Sequence, residues 1–90
     1  MMQKTCLDCY RKHIAKANVL ENEYNLGYPL HKYLVIGELA CAEDEVLEQF
    51  PKLAEKTREC RNEFYMDDIP VPTMELLKLS VELERSENAG

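Results

Sequence analysis

The chain has 90 residues, of which 46% are apolar and 31% charged. Seventeen Asp and Glu against eleven Lys and Arg leave a net charge of -6, which argues against a broad phosphate-binding surface and so against nucleic acid as a partner. A chain of this length builds one small domain with a core but no large enclosed substrate cavity, and three glycines leave no room for a phosphate-cradling loop.

No apolar run exceeds the length of Tyr33 to Ile36, far short of the roughly 20 residues a membrane helix needs. Met1 to Thr5 has no apolar signal region, which points to a cytoplasmic chain in which Cys6, Cys9, Cys41 and Cys60 are thiols or ligands and not a disulfide framework. β-branched residues are few and never alternate, whereas apolar residues recur at spacings of three and four. The chain therefore reads as all-α, a small antiparallel bundle of three to four helices.

The first helix is expected over residues 6–26, capped by Thr5 with Asp8 favourably placed near its positive end and stopped by Gly27, a natural left-handed residue. Its inner face reads Cys6, Cys9, Tyr10, His13, Ala17, Leu20 and Tyr24, with Ile14 at the margin. Pro29 suits the start of a second helix over 30–49, and the short connection makes the two an antiparallel hairpin. That second helix carries a main apolar face of Tyr33, Ile36, Leu39, Ala40, Leu47 and Phe50, with Gly37 beside it to admit a close backbone. A narrower stripe of Leu30, Leu34 and Cys41 lies elsewhere on the same helix. Two stripes imply a central helix, or one that also meets another subunit.

Pro51 breaks the chain, and a third helix over 52–66 repeats Leu53, Thr57, Cys60 and Phe64 as a single-faced cover on the hairpin. A short loop with two prolines follows, its Asp67 and Asp68 without an evident partner. Thr73 then caps a fourth helix over 74–84, and the polar stretch from Ser86 to Gly90 reads as frayed. The fourth helix carries Met74, Leu77 and Val81 on one side and Leu76, Leu79 and Leu83 on the other. Burying both sides requires a groove between two other helices or a partner. At about 0.025 kcal/mol per Å² of apolar area, the second option would make Leu76, Leu79 and Leu83, with Leu30 and Leu34, an oligomer or protein-partner contact.

One constellation could carry chemistry. Cys6, Cys9 and His13 lie at i, i+3 and i+7, on one helical face, and folding the hairpin about Tyr28 brings residue 13 level with about residue 43. Glu43 then sits on an apolar face, where an unpartnered carboxylate costs several kcal/mol. Three arrangements compete for this cluster. The first is a buried His13 to Glu43 hydrogen bond with the two cysteines as packing. The second is a zinc site of Cys6, Cys9 and His13 with Glu43 or Cys60 as fourth ligand, matching zinc's preference for thiolate and imidazole. The third is a redox pair of Cys6 and Cys9, whose placement is similar to that in thioredoxin-like enzymes although their strand, helix, strand unit is absent. The acidic run of Glu43, Asp44, Glu45 and Glu48 lacks the glycine of a calcium loop and reads as a solvated face, as does His31.

Finally, the stretch from His13 to Glu45, with Gly27-Tyr28-Pro29, His31, Gly37-Glu38-Leu39-Ala40 and Ala42-Glu43-Asp44-Glu45, resembles small uncharacterised helical proteins encoded by bacteriophages. The resemblance covers about a third of the chain and implies a role in binding host or phage macromolecules, with no catalytic residue carried across. Taken together, the sequence predicts a non-enzymatic helical interaction protein that binds a protein partner or forms a homo-oligomer, with a small zinc-binding module as the rival.

Overall fold

Apolar side chains three and four residues apart organise four helices, α1 (Cys6–Asn25), α2 (His31–Val46), α3 (Pro51–Asp67) and α4 (Thr73–Ala89), with no strand among the described residues. The chain is an all-α bundle. The computed structural model describes residues 6–89, with side chains described through Ser86; the expected Thr5 cap and Gly90 lie outside them.

The ends of the helices follow from a few residues. Gly27, at φ 115°, closes α1. Its N–H donates to Tyr24 O at 3.1 Å and that of Tyr28 to Glu23 O at 3.4 Å, the paired bonds of a left-handed C-terminal cap. A Cβ at Gly27 would meet nothing within 4 Å, so glycine is required there for its backbone angle and not for space. After Pro29, single-turn bonds from His31 N to Tyr28 O and from Lys32 N to Pro29 O open α2 at His31, one residue later than expected. α2 stops at Val46 and not at Gln49. Residues 47–49 form a turn, and Phe50 is pushed out of the helical region, at φ -132° and ψ 67°, because it precedes Pro51. Pro51 itself opens α3, where its missing N–H costs nothing.

Asp68 ends α3 in the left-handed conformation, φ 55°, donating its N–H to Phe64 O at 3.2 Å. α4 begins at Thr73, whose hydroxyl donates to Asn18 Oδ1 on α1 at 3.3 Å. Thr73 is thus a stitch to α1 as the first helical residue, and the helix continues past Glu84 to Ala89.

Each helix packs on its two neighbours in a ring, α1 on α2, α2 on α3, α3 on α4 and α4 on α1, with α1 and α2 sharing the largest contact. Inside the ring lie Leu7, Tyr10, Ile14 and Ala17 of α1, Val35, Leu39, Ala42 and Val46 of α2, Leu53, Ala54, Cys60 and Phe64 of α3, then Val71 and Leu76. The α3 face is the one its four-three-four repeat predicts.

The other faces are rotated. On α1, Ile14 sits in the middle of the buried face and Leu7 joins it, while Cys6, Leu20 and Tyr24 pack at the edge. On α2, Val35, Ala42 and Val46 face inward and Tyr33 and Leu47 are exposed. Apolar residues surround α2 on nearly every side, so its own periodicity cannot choose a face; the two neighbours in the ring do. Gly37 faces outward, and a Cβ added there would meet nothing within 4 Å, so it accommodates no backbone of this chain.

Candidate functional site

The helix rotation decides the fate of the four residues that sequence grouped together. On α1, His13 Nδ1 donates to Glu38 Oε2 of α2 at 2.7 Å. Glu43 follows Glu38 by five residues, about 140° further round the helix, and therefore faces α3. There Arg58 Nε donates to its Oε2 at 3.2 Å, and Arg61 Nη1 stands 2.9 Å from its Oε1. The Arg61 contact lies off the hydrogen-bonding axis, since Oε1 has no hydrogen-bond partner, so it is electrostatic in character. Two guanidinium groups thus compensate a carboxylate that is only 9% exposed.

Cys6 Sγ donates to Gln49 Oε1 at 2.9 Å, Cys9 is half-buried and Cys60 is buried in α3, its thiol pushed up chiefly by desolvation. His13 and Glu43 do not meet. Among the described residues, no three Cys, His, Asp or Glu side chains converge as a metal-ligand group.

The remaining interior polar groups tie helices together in pairs, several of them invisible in the sequence. Glu21, buried, accepts the Val71 N–H at 2.9 Å and so anchors the loop before α4 onto α1. Its signal was its place in the series Tyr10, Ile14, Ala17, Glu21, which repeats at helical spacing. Arg11 donates to Ser80 Oγ at 3.1 Å and to Glu84 Oε2 at 2.5 Å, clamping α4 on α1.

Asp68, expected without a partner, accepts from Lys32 Nζ at 2.6 Å and from Tyr24 Oη at 3.2 Å. These donors, Lys32 first, hold its carboxyl below the usual range, and Asp68 in turn raises Lys32. Beneath them, Lys32 Nζ lies 5.7 Å from the centroid of the Phe64 ring, which Tyr24 meets edge-on. At the hairpin turn His31 is half-buried, its Nε2 standing 2.8 Å from Glu23 Oε2.

Several large apolar side chains also stay uncovered. Leu26, Leu30, Tyr33 and Leu34 are 79%, 74%, 65% and 51% exposed. Together with Val19 and Tyr28 they surround the α1–α2 turn and the outer side of the hairpin, where Ala15, Lys16, Val19 and Leu20 line a shallow open depression. Exposed Gly37 and Cys41 continue the Leu30 and Leu34 stripe along α2.

The other half of the expected contact surface is used within the chain. Leu76 is 1% exposed in the core, and Leu79 and Leu83 pack half-buried against it, because α4 lies in the groove between α1 and α3. Met74 and Val81 remain outside, beside a second shallow depression with Leu77, Lys78 and Arg85. No protein-family model matches the chain, and comparison with curated proteins and with solved structures finds no significant match.

Proposed function

We propose that this protein is a helical interaction module that acts by protein–protein contact through the outer side of its α1–α2 hairpin, with Leu26, Leu30 and Leu34 as anchors and a second copy of the chain as the first partner to test. The observation that carries this reading is that six large exposed apolar side chains, Val19, Leu26, Tyr28, Leu30, Tyr33 and Leu34, lie on the α1–α2 hairpin, with the four most exposed of them, Leu26, Leu30, Tyr33 and Tyr28, close to its turn. Leaving that many of them in water forgoes several kcal/mol that a partner surface would recover. The two carboxylates buried among the described residues add support, since both are spent on holding the fold together, Glu43 with Arg58 and Arg61 and Glu21 with the Val71 N–H. The hairpin is also the stretch whose sequence resembles small phage-encoded helical proteins, which makes host or phage macromolecules the next partners to test.

Light scattering on a size-exclusion column tests the reading, comparing the wild type with a Leu30→Glu, Leu34→Glu double variant. Association at micromolar concentration that disappears in the variant, with the helical circular dichroism unchanged, is the expected result. A wild-type monomer whose variant matches it in solubility and in every measured association would overturn it.

A further inference from the structure

Cys6 and Cys9 stand one turn apart on α1, both half-buried, whereas Cys41 is exposed on the outer side of α2 and Cys60 is buried. The rise and radius of an α-helix put Cα atoms three residues apart at about 5 Å, inside the window of roughly 4.4–6.8 Å that a disulfide requires. The Cβ atoms of such a pair start about 5–6 Å apart and must approach to about 4 Å. Closing the bond therefore tightens the shared turn, and a strained bridge of this kind is readily reduced.

We infer that Cys6 and Cys9 form a reversible dithiol–disulfide site that exchanges with small disulfides such as oxidised glutathione. One cysteine thiolate attacks a glutathione sulfur, forming a mixed disulfide and expelling one glutathione thiolate. The second cysteine, as thiolate, attacks the protein sulfur of that mixed disulfide and expels the other glutathione. The protein loses two protons and two electrons, and the oxidised glutathione becomes two thiols. Because the resolving thiol is held on the same turn, its attack outpaces that of a second glutathione molecule. Oxidation also removes the S–H that Cys6 gives to Gln49 Oε1, so the redox state of the pair reaches the turn between α2 and α3.

Mass spectrometry of the full chain tests this. The folded protein is equilibrated in buffers of graded oxidised to reduced glutathione, then quenched with acid, alkylated and digested with trypsin. Residues 5–11 form one peptide carrying both cysteines. Across the oxidising buffers this peptide is expected two hydrogens lighter and unalkylated, and it returns to the doubly alkylated form in reducing ones. Cys41 supplies the internal reference, accumulating only a glutathione adduct. In Cys6→Ser and Cys9→Ser the remaining thiol is expected to hold glutathione as a stable adduct, at least about tenfold more abundant than on the same peptide of the wild type. A wild-type peptide that stays doubly alkylated throughout, or that carries glutathione to the same extent as the serine variants, would overturn the inference.

Discussion

Tyr10 of α1 and Thr57 of α3 meet across the diagonal of the bundle, their hydroxyl oxygens 2.8 Å apart in the core. Thr57 has one proton, and Oγ1 gives it to Leu53 O at 2.7 Å, so Tyr10 is the donor in the pair. The two partners are therefore unequal. Tyr10→Phe removes a donor and leaves Thr57 bonded to Leu53, at a cost of about 1 kcal/mol. Thr57→Val strands a buried phenol without an acceptor and should cost more, about 1–3 kcal/mol. Urea unfolding of both variants checks the order.

The same phenol gives the fold an alkaline limit. Burial, only partly offset by the Thr57 hydrogen bond, raises Tyr10 from 10.0 to about 12. Between those values the folded chain binds more protons than the unfolded one, so stability present below pH 10 falls as pH rises towards 12. Unfolding midpoints measured from pH 9 to pH 12 should decline less steeply in Tyr10→Phe than in the wild type.

Glu43 predicts a second asymmetry. Removing both guanidinium partners in Arg58→Ala, Arg61→Ala leaves a carboxylate buried without compensation and should cost about 2–4 kcal/mol. Glu43→Met removes the buried charge itself and frees both arginines to reach water, which Arg58 already partly does at 49% side-chain exposure. That change should cost less than about 1 kcal/mol. Thermal unfolding of the two variants decides it, and equal losses would mean that the carboxylate is solvated in the folded state.

At the hairpin turn, Gly27→Ala should destabilise by about 1 kcal/mol or more, because φ 115° is closed to a side chain even though the space is empty. Asp68→Gly changes the other left-handed position in the opposite conformational sense, relieving backbone strain while losing the bonds to Lys32 and Tyr24. The two effects oppose each other, so it should destabilise less than Gly27→Ala, as chemical denaturation of both variants can show.

How much of this was legible depended on whether a helix touches neighbours on one side or two. α3 is a cover whose outer positions are mostly charged, so Leu53, Thr57, Cys60 and Phe64 mark its inner face, and they are buried. α2 offers apolar residues all round, and only α1 and α3 together select Val35, Leu39, Ala42 and Val46. That rotation also explains the grouping of Cys6, Cys9, His13 and Glu43. Their spacing along each helix was readable, but the side of α2 on which Glu43 emerges depends on α3, whose Arg58 and Arg61 give no sign in sequence of being its partners. That α2 carries a second apolar stripe was readable, but that Leu30 and Leu34 are the ones left outside follows from Val35, Leu39, Ala42 and Val46 turning inward.

Leu76 and Leu34 separate the two uses of leucine in this chain. Leu76 is 1% exposed and Leu34 51%, although the sequence presents both as candidates for the same contact. A charge at Leu76 must be carried into the core, at a cost of several kcal/mol set against a total stability of about 5–13 kcal/mol for a chain of this size. Leu76→Glu should therefore melt tens of degrees lower, or fail to fold. Leu34→Glu adds a charge where water already reaches, and its unfolding free energy should stay within about 0.5 kcal/mol of the wild type, leaving association as the property it changes. Differential scanning calorimetry on both variants, at a concentration where the wild type is monomeric, reads the fold without the contact. A Leu34→Glu variant as unstable as Leu76→Glu there would mean that the stripe belongs to the core and offers no surface for a partner.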